Sequence, residues 1–563
     1  MSGRQKRLSG KWSAILVTCL VILSMVASCA PAAPPKTEAP KPAAPKKEMV
    51  VRMTQSWPCK IDPAVGWDNA SSVAHANIYD TLVMIDVDGS AKPWVAKSWT
   101  YDAPSKTYTF TLEKGVKFHS GNVLTAQDVV YSLKRMLTMG QGWSFVFKSV
   151  IKDVTAPAED TVKIALAGDY GPFLQTLIHM CIVDQKTMVA NTKKDNTYGE
   201  NGDYGKEWLT THDAGSGPYK VKEMKTAEYL LCERFADYWK GVLKDSPEGF
   251  KMIGTTEAIT VRTLMSQKDL DISDEWQTGE NYNQMKQMPG VKVADFVVGG
   301  LMILHFNTSQ KPLDDVHVRK ALQYCFDYAS AQKLFPGAKA TSGPVGSALP
   351  GYNEALPKYA QDLDKAKREL ALSKYKDTIG KYEVELGWTS EVPDEEKVAL
   401  LLQSNAQQIG IKIKVTKSPW LTWLDRATKP ETTPGLLARV QSSISFPEAG
   451  APLDYFRSAG RGAPTNCHWF AADFQTEVDK AVADALSTMD AAKRYEKYKT
   501  VAAKLVDNAT DIWMVELPQR QAYQADYLSW PAADAAIAGK KVNVLVGLRT
   551  YFRDMKLDAS KMK

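Results

Sequence analysis

The stretch Tyr108-Thr109-Phe110-Thr111-Leu112-Glu113-Lys114-Gly115-Val116-Lys117-Phe118-His119-Ser120-Gly121, continued by Leu124-Thr125-Ala126-Gln127-Asp128-Val129-Val130-Tyr131-Ser132, sets the fold class. Tyr108, Phe110 and Leu112 alternate with Thr109 and Thr111, the period-two pattern of a half-buried strand, and Gly115 and Gly121 punctuate the residues after it. Thr125 and Asp128 stand at capping-box spacing, and Val129, Val130, Leu133, Met136 and Leu137 give the next helix one apolar face. Further on, Val318, Ala321, Leu322 and Cys325 mark a helix face after Asp314 and Asp315, which read as helix-start residues. Val398, Leu401, Leu402 and Ile409 end at Gly410, and Ile411, Ile413 and Val415 then alternate as a strand. Helix, stop and strand in succession predict α/β lobes.

Toward the N-terminus the pattern changes. Arg4, Lys6, Arg7 and Lys11 precede an apolar run of 16 residues, Trp12 to Ala27, shorter than the roughly 20 of a spanning helix. Ala27 and Ser28 before Cys29 look like a bacterial lipobox, so residues 1–28 are expected to be removed and Cys29 to carry lipid. Residues 29–47 hold six prolines among alanines and lysines with no large apolar side chain, the composition of an extended tether. A bacterial lipoprotein carries two or three acyl chains, enough for firm anchoring where one chain binds only marginally.

About 515 residues remain, more than the roughly 250–300 at which one hydrophobic core stops growing, so at least two lobes are expected. The formal charge of +6 falls to about +2 without the four leader cations, which gives no basic surplus for nucleic acid. Beyond Cys19 and Cys29, the cysteines Cys59, Cys181, Cys232, Cys325 and Cys467 have neither metal-ligand nor redox-motif spacing. They read as isolated buried thiols, with one or two disulfides left open. The seven histidines are scattered, with no pair at i, i+4, and the chain has no H-E-x-x-H, Walker A loop or C-x-x-C. A G-x-S-x-G elbow is also absent, since Ala214 lies two residues before Ser216. No enzyme, cofactor or metal site is predicted.

The stretch from Tyr108 to Ser132, with Lys97-Ser98-Trp99 before it, resembles the signature of the peptide, nickel and opine family of extracellular solute-binding proteins of ABC importers. The resemblance continues through Gly215-Ser216-Gly217-Pro218-Tyr219, Ala236-Asp237-Tyr238-Trp239, Phe306-Asn307 with Pro312 to Leu322, Asp364-Lys365-Ala366 and Ile512-Trp513-Met514. It implies a two-lobed clamp of the type II periplasmic-binding-protein kind, with lobe I at 48–303 including an inserted subdomain at about 86–221, lobe II at 304–515, and a return to lobe I at 516–563. The crossings are expected near Leu304 to Thr308 and Val515 to Tyr523. The implied function is capture of an extracytoplasmic peptide or similar solute, and its delivery to permease and ATPase subunits by a membrane-anchored monomer. An oligosaccharide or metal-complex receptor of the same fold, a signalling or adhesion protein, and an extracellular hydrolase are the other readings.

Peptide binders of this family hold the ligand's amino group with an aspartate in a W-x-x-D-x-x-D-P-like segment. The corresponding stretch here, Arg439 to Glu448, has no aspartate, only Glu448. Arg439, Ser443 and Phe446 in that stretch are candidate ligand contacts, with Arg439 either pairing a carboxylate or standing as a solvated surface residue. Trp57 after the first strand, Trp388 at a strand end and Trp420 in an expected loop with Trp423 are candidate stacking surfaces or packing residues. Tyr219 is a further candidate, with Gly215 and Gly217 permitting close backbone approach or simply forming a tight turn.

Overall fold

A computed structural model describes residues 48–441, 445–462, 466–547 and 549–562. The stretch around Tyr108 folds as its pattern predicts. Thr107–Leu112 is a strand with alternate residues buried. The helix Ala126–Met139 starts where Asp128 accepts from the Thr125 backbone N–H at 2.8 Å and stops at Gly140 in the left-handed region (φ 64°). The strand sits in an antiparallel sheet ordered Ala96–Asp102, Thr107–Leu112, Thr161–Leu166, Ile151–Ala158, with the helix across it.

Two larger sheets form the lobes. The first runs Val50–Gln55, Gly249–Gly254, Tyr229–Arg234, Tyr219–Lys225. The second has six strands in the order Lys339–Ala340, Asp511–Gln524, Val291–Phe306, Leu436–Gln441, Glu383–Thr389, Lys412–Ser418. Helices Val316–Cys325 and Pro393–Gln407 pack against this second sheet. Asp315 caps the former, accepting from His317 N–H at 2.9 Å, as the paired aspartates predict.

Val291–Phe306 and Asp511–Gln524 are the long members, of 16 and 14 residues, and pair antiparallel from Val291↔Gln524 to His305↔Asp511. Their early part serves the first lobe, where Ala294, Phe296 and Val298 join Tyr523, Met53 and Phe250 in one core. Past Gly300 both faces are buried. Leu301 and Ile303 turn to a core shared with Phe110 and Phe446, while Met302, Leu304 and Phe306 turn to the core of the second sheet, the two-sided burial that period-two alternation allows. Between these parts the ladder slips, because Val297, Val298 and Gly299 lie opposite Pro518 alone, and Gly299 takes φ 78°. Isolated bridges from Ile272 to Met53 and Tyr523 tie the first sheet to the long pair.

One expectation needs correction. Trp420 is not in a loop but begins the helix Trp420–Arg426, because Pro419 supplies a preset extended residue before the first turn and Glu391 accepts from the Trp420 N–H at 3.2 Å. The five described cysteines are buried and none is in a disulfide, as the reading of isolated buried thiols expects.

Candidate functional site

A cleft with about 100 Å³ of internal space lies where the two long strands slip past each other. Val298, Gly300, Leu517, Pro518 and Gln519 form its floor. One wall comes from Glu275, Trp276, Gln277 and Tyr282 of the first lobe, the other from Leu334 to Pro336, Val392, Asp394 and Val440 of the second. Asn69 and Arg520 complete the lining.

The acidic wall is built by the end of the first strand. Thr54 Oγ1 donates to Asp274 at 2.9 Å and Gln55 Nε2 to Glu275 at 3.0 Å, while Asn69 Nδ2 reaches the other Glu275 oxygen at 2.7 Å. Gln277 Nε2 and the Trp276 backbone N–H also donate to Asp274. Burial pushes the Glu275 carboxyl up to about 7, against ordinary hydrogen bonding from Asn69 and with the Asp274 charge adding to the rise. Burial likewise raises Asp274 to about 6. Among the described residues no cation is a hydrogen-bond partner of either acid, so ionising this pair inside the cleft is costly. The indole N–H of the next residue, Trp276, is buried with no hydrogen-bond partner among the described residues.

Arg520 supplies the cation. Asp295 holds it through Nε at 2.8 Å and Nη2 at 3.1 Å, and its backbone carbonyl accepts from the Tyr282 hydroxyl at 2.6 Å. Across the mouth Lys397, on the helix Pro393–Gln407, meets Glu280 of the helix Gly279–Lys286 at 3.0 Å and Asp394 at 2.8 Å, so one lysine joins the two walls. The cleft therefore offers an acid, a neutral donor and a basic group around a partly apolar floor, with no histidine or cysteine among the described residues that line it.

None of the described candidates named from sequence lines this cleft. Tyr219 is fully buried, donates to Pro247 O at 3.2 Å and meets Phe250 edge-on. Gly215 and Gly217 do permit close approach, but to the helix Asn69–Ile78, since a side chain on either would strike Ile78 O or Asn77 O. Trp57 is half-buried against Gly254 and donates to Thr226 O at 2.6 Å. Trp388 is buried, gives its carbonyl to Trp423 Nε1 at 3.0 Å and carries Lys417 over its ring. Arg439 is buried on Leu436–Gln441 rather than solvated, and Phe446 is buried against Tyr170. Ser443 and Cys29 lie outside the described residues. Glu448, the one acid of its stretch, is occupied by Arg494 at 2.9 and 2.6 Å. The missed residues had a local signal. Asp274-Glu275-Trp276 places two acids and a tryptophan in a segment without helical periodicity.

The sequence model of the bacterial extracellular solute-binding proteins, family 5 (middle part), matches residues 90–462. The probable D,D-dipeptide-binding periplasmic protein DdpA of Escherichia coli (strain K12) is 28% identical over 484 residues, covering 84% of this chain and 89% of that protein. The nickel-binding periplasmic protein of the same organism is 24% identical over 492 residues, covering 81% and 87%. In three dimensions the chain is similar to the periplasmic binding protein DppA of Helicobacter pylori in complex with the peptide STSA, with a TM-score of 0.74, 20% identity and coverage of 90% and 98%. The chain belongs to family 5 of the bacterial extracellular solute-binding proteins, and its fold is the two-lobed clamp of that family.

Proposed function

We propose that this family 5 protein is the receptor of an ABC importer, anchored to the membrane by lipid on Cys29, and that it encloses a peptide or similar zwitterionic solute in the cleft between its lobes. The division into 48–303, 304–515 and 516–563, with an insertion at about 86–221, is part of the proposal. The two long strands support a two-part division, passing from one core to the other within Val298 to Met302, a few residues ahead of the crossing expected near Leu304 to Thr308. Among the described residues no helix is long and apolar enough to cross a membrane; the proposed anchor is lipid on Cys29, followed by the proline-rich tether.

The observation that carries the ligand class is Glu275, a carboxylate on the cleft wall held by two amides and no cation among the described residues. A ligand ammonium would supply the missing charge, the Trp276 N–H would donate to a ligand carbonyl, and Arg520 would face its carboxylate end. This acid comes from the first lobe, so the family's second-lobe aspartate is replaced by a group on the opposite wall. A ligand spanning both walls favours the closed form by its differential affinity. The relatives named for a dipeptide and for nickel support solute uptake over signalling or adhesion.

Thermal-shift measurements on the full chain against di- to oligopeptides, their N-acetylated forms, oligosaccharides, and nickel with and without chelators test this. Ligand at 100 times its Kd adds about 2.7 kcal/mol to stability. Free-amine peptides are expected to raise Tm and acetylated ones not to. A flat response to peptides beside a shift with sugars or a metal complex would sink the peptide assignment.

A further inference from the structure

We propose that His305, His468 and Asp511 form a buried site for a divalent transition metal of the zinc, nickel or cobalt class, separate from the ligand cleft. The three come from different parts of the chain. His305 and Asp511 are cross-strand partners at the far end of the long pair, and His468 arrives on the segment whose carbonyl accepts from the Thr308 N–H at 2.8 Å. Their exposures are 2%, 1% and 0%, and one donor atom from each lies within 4.8 Å of the others. Asp511 Oδ1 faces both His305 Nδ1 and His468 Nε2, the latter at 3.0 Å.

Hydrogen bonding accounts for only half of this group. His305 Nε2, His468 Nδ1 and Asp511 Oδ2 are buried with no hydrogen-bond partner among the described residues. A buried polar network is normally satisfied throughout, and one left half-satisfied calls for an explanation such as an ion. Two imidazoles and one carboxylate are a donor set that zinc-class ions accept, with a fourth position open. The two rings stand at 83° with centroids 4.4 Å apart, and one donor atom from each of the three side chains lies within 4.8 Å of the others, close enough for a single ion bonded at about 2.0–2.1 Å to reach them.

The surroundings select among ions. Arg439 lies within electrostatic reach of Asp511 and His305, which disfavours Mg2+ and Ca2+, held by charge alone, and leaves ions that gain from imidazole bonding. Phe456 stacks on His468 at 4.4 Å and Phe470 lies at 5.1 Å, so aromatic faces shield one side of the site. An ion there ties three chain segments together and enters as they fold. None of the three residues lines the cleft, so this metal is not cargo.

The test folds the full chain with Zn2+, Ni2+ or Co2+ and measures retained metal by mass spectrometry after exhaustive dialysis. About one ion per chain, tetrahedral-type Co2+ absorption in the visible, and a raised Tm are expected. His468→Gln is expected to lose ion and spectrum, whereas Glu275→Gln keeps both. Should His468→Gln fail to fold, Asp511→Asn and the wild-type cobalt spectrum carry the same test. Absence of retained metal and of cobalt bands in the wild type overturns the proposal. So does metal that survives His468→Gln and Asp511→Asn, or that is lost in Glu275→Gln.

Discussion

Glu448 is buried beside the helix Ala491–Asp507, and Glu275 is half-buried on the cleft wall. Glu448 is closed on every side, with Arg494 on both oxygens, Tyr498 and Tyr495 hydroxyls at 3.3 and 3.4 Å, and Gln175 at 3.2 Å. Glu275 has two amides. The first carboxylate has its countercharge within the fold, and the second lacks one until something enters. Glu448 is the one acid in the family's usual ligand segment, whereas the partners of the two acids point to Glu275 as the one that awaits a ligand.

The sharpest way to break this contrast is Arg494→Ala, which strands the Glu448 charge. It is expected to cost about 3–5 kcal/mol in denaturant unfolding while the folded fraction binds ligand unchanged. A loss below about 1 kcal/mol would mean that Glu448 has no structural burden. Glu275→Gln reverses the pattern. Calorimetry should show free-amine peptides weakened about 10- to 100-fold, or about 1.4–2.8 kcal/mol, with unliganded stability equal or higher. Equal weakening of an N-acetylated analogue would remove the amine from the argument.

Acidity gives the next effect. Glu275 titrates near 7 and Asp274 near 6 in the fold, against 4.5 and 3.8 without it, so the native state binds the extra protons between about pH 4 and 7. Stability of the unliganded chain should therefore fall as pH rises through that window, by about 1–3 kcal/mol, and Glu275→Gln should flatten the slope. Affinity for an amine ligand should climb over the same range and level off above 7. The smallest effect belongs to Lys397→Ala, which cuts the pair with the largely exposed Glu280. It should cost less than about 1 kcal/mol, seen as a faster ligand off-rate in stopped flow whose difference from wild type fades with salt.

What could be read from the chain alone was local. The strand Thr107–Leu112, the cap at Thr125 and the helix behind Asp315 each lie within a few residues of their cause, so periodicity and capping reveal them. The cleft was not local. Tyr282 and Arg520 are 238 positions apart, joined because the second long strand returns, and Gln55 and Glu275 are 220 apart, joined because Ile272 bridges back to the first strand. Gly215 and Gly217 signalled a close approach correctly but could not say that its object was the helix Asn69–Ile78 rather than a solute. Scattered histidines read as unrelated for the same reason, since His305 and Asp511 meet across 206 positions.

The paired strands Val291–Phe306 and Asp511–Gln524 also have a mechanical meaning. A two-stranded ribbon is compliant across its thin dimension and stiff within its plane, and this one is notched where three residues face Pro518. Flexure concentrates at a notch. The notch thus favours rotation about a line through Val298 and Pro518, while sliding and in-plane shear of the lobes work against the paired ladder on either side of it. That line is the floor of the cleft, so a solute seated there lies nearly on the axis of rotation, where the walls move least beneath it and most at the rim.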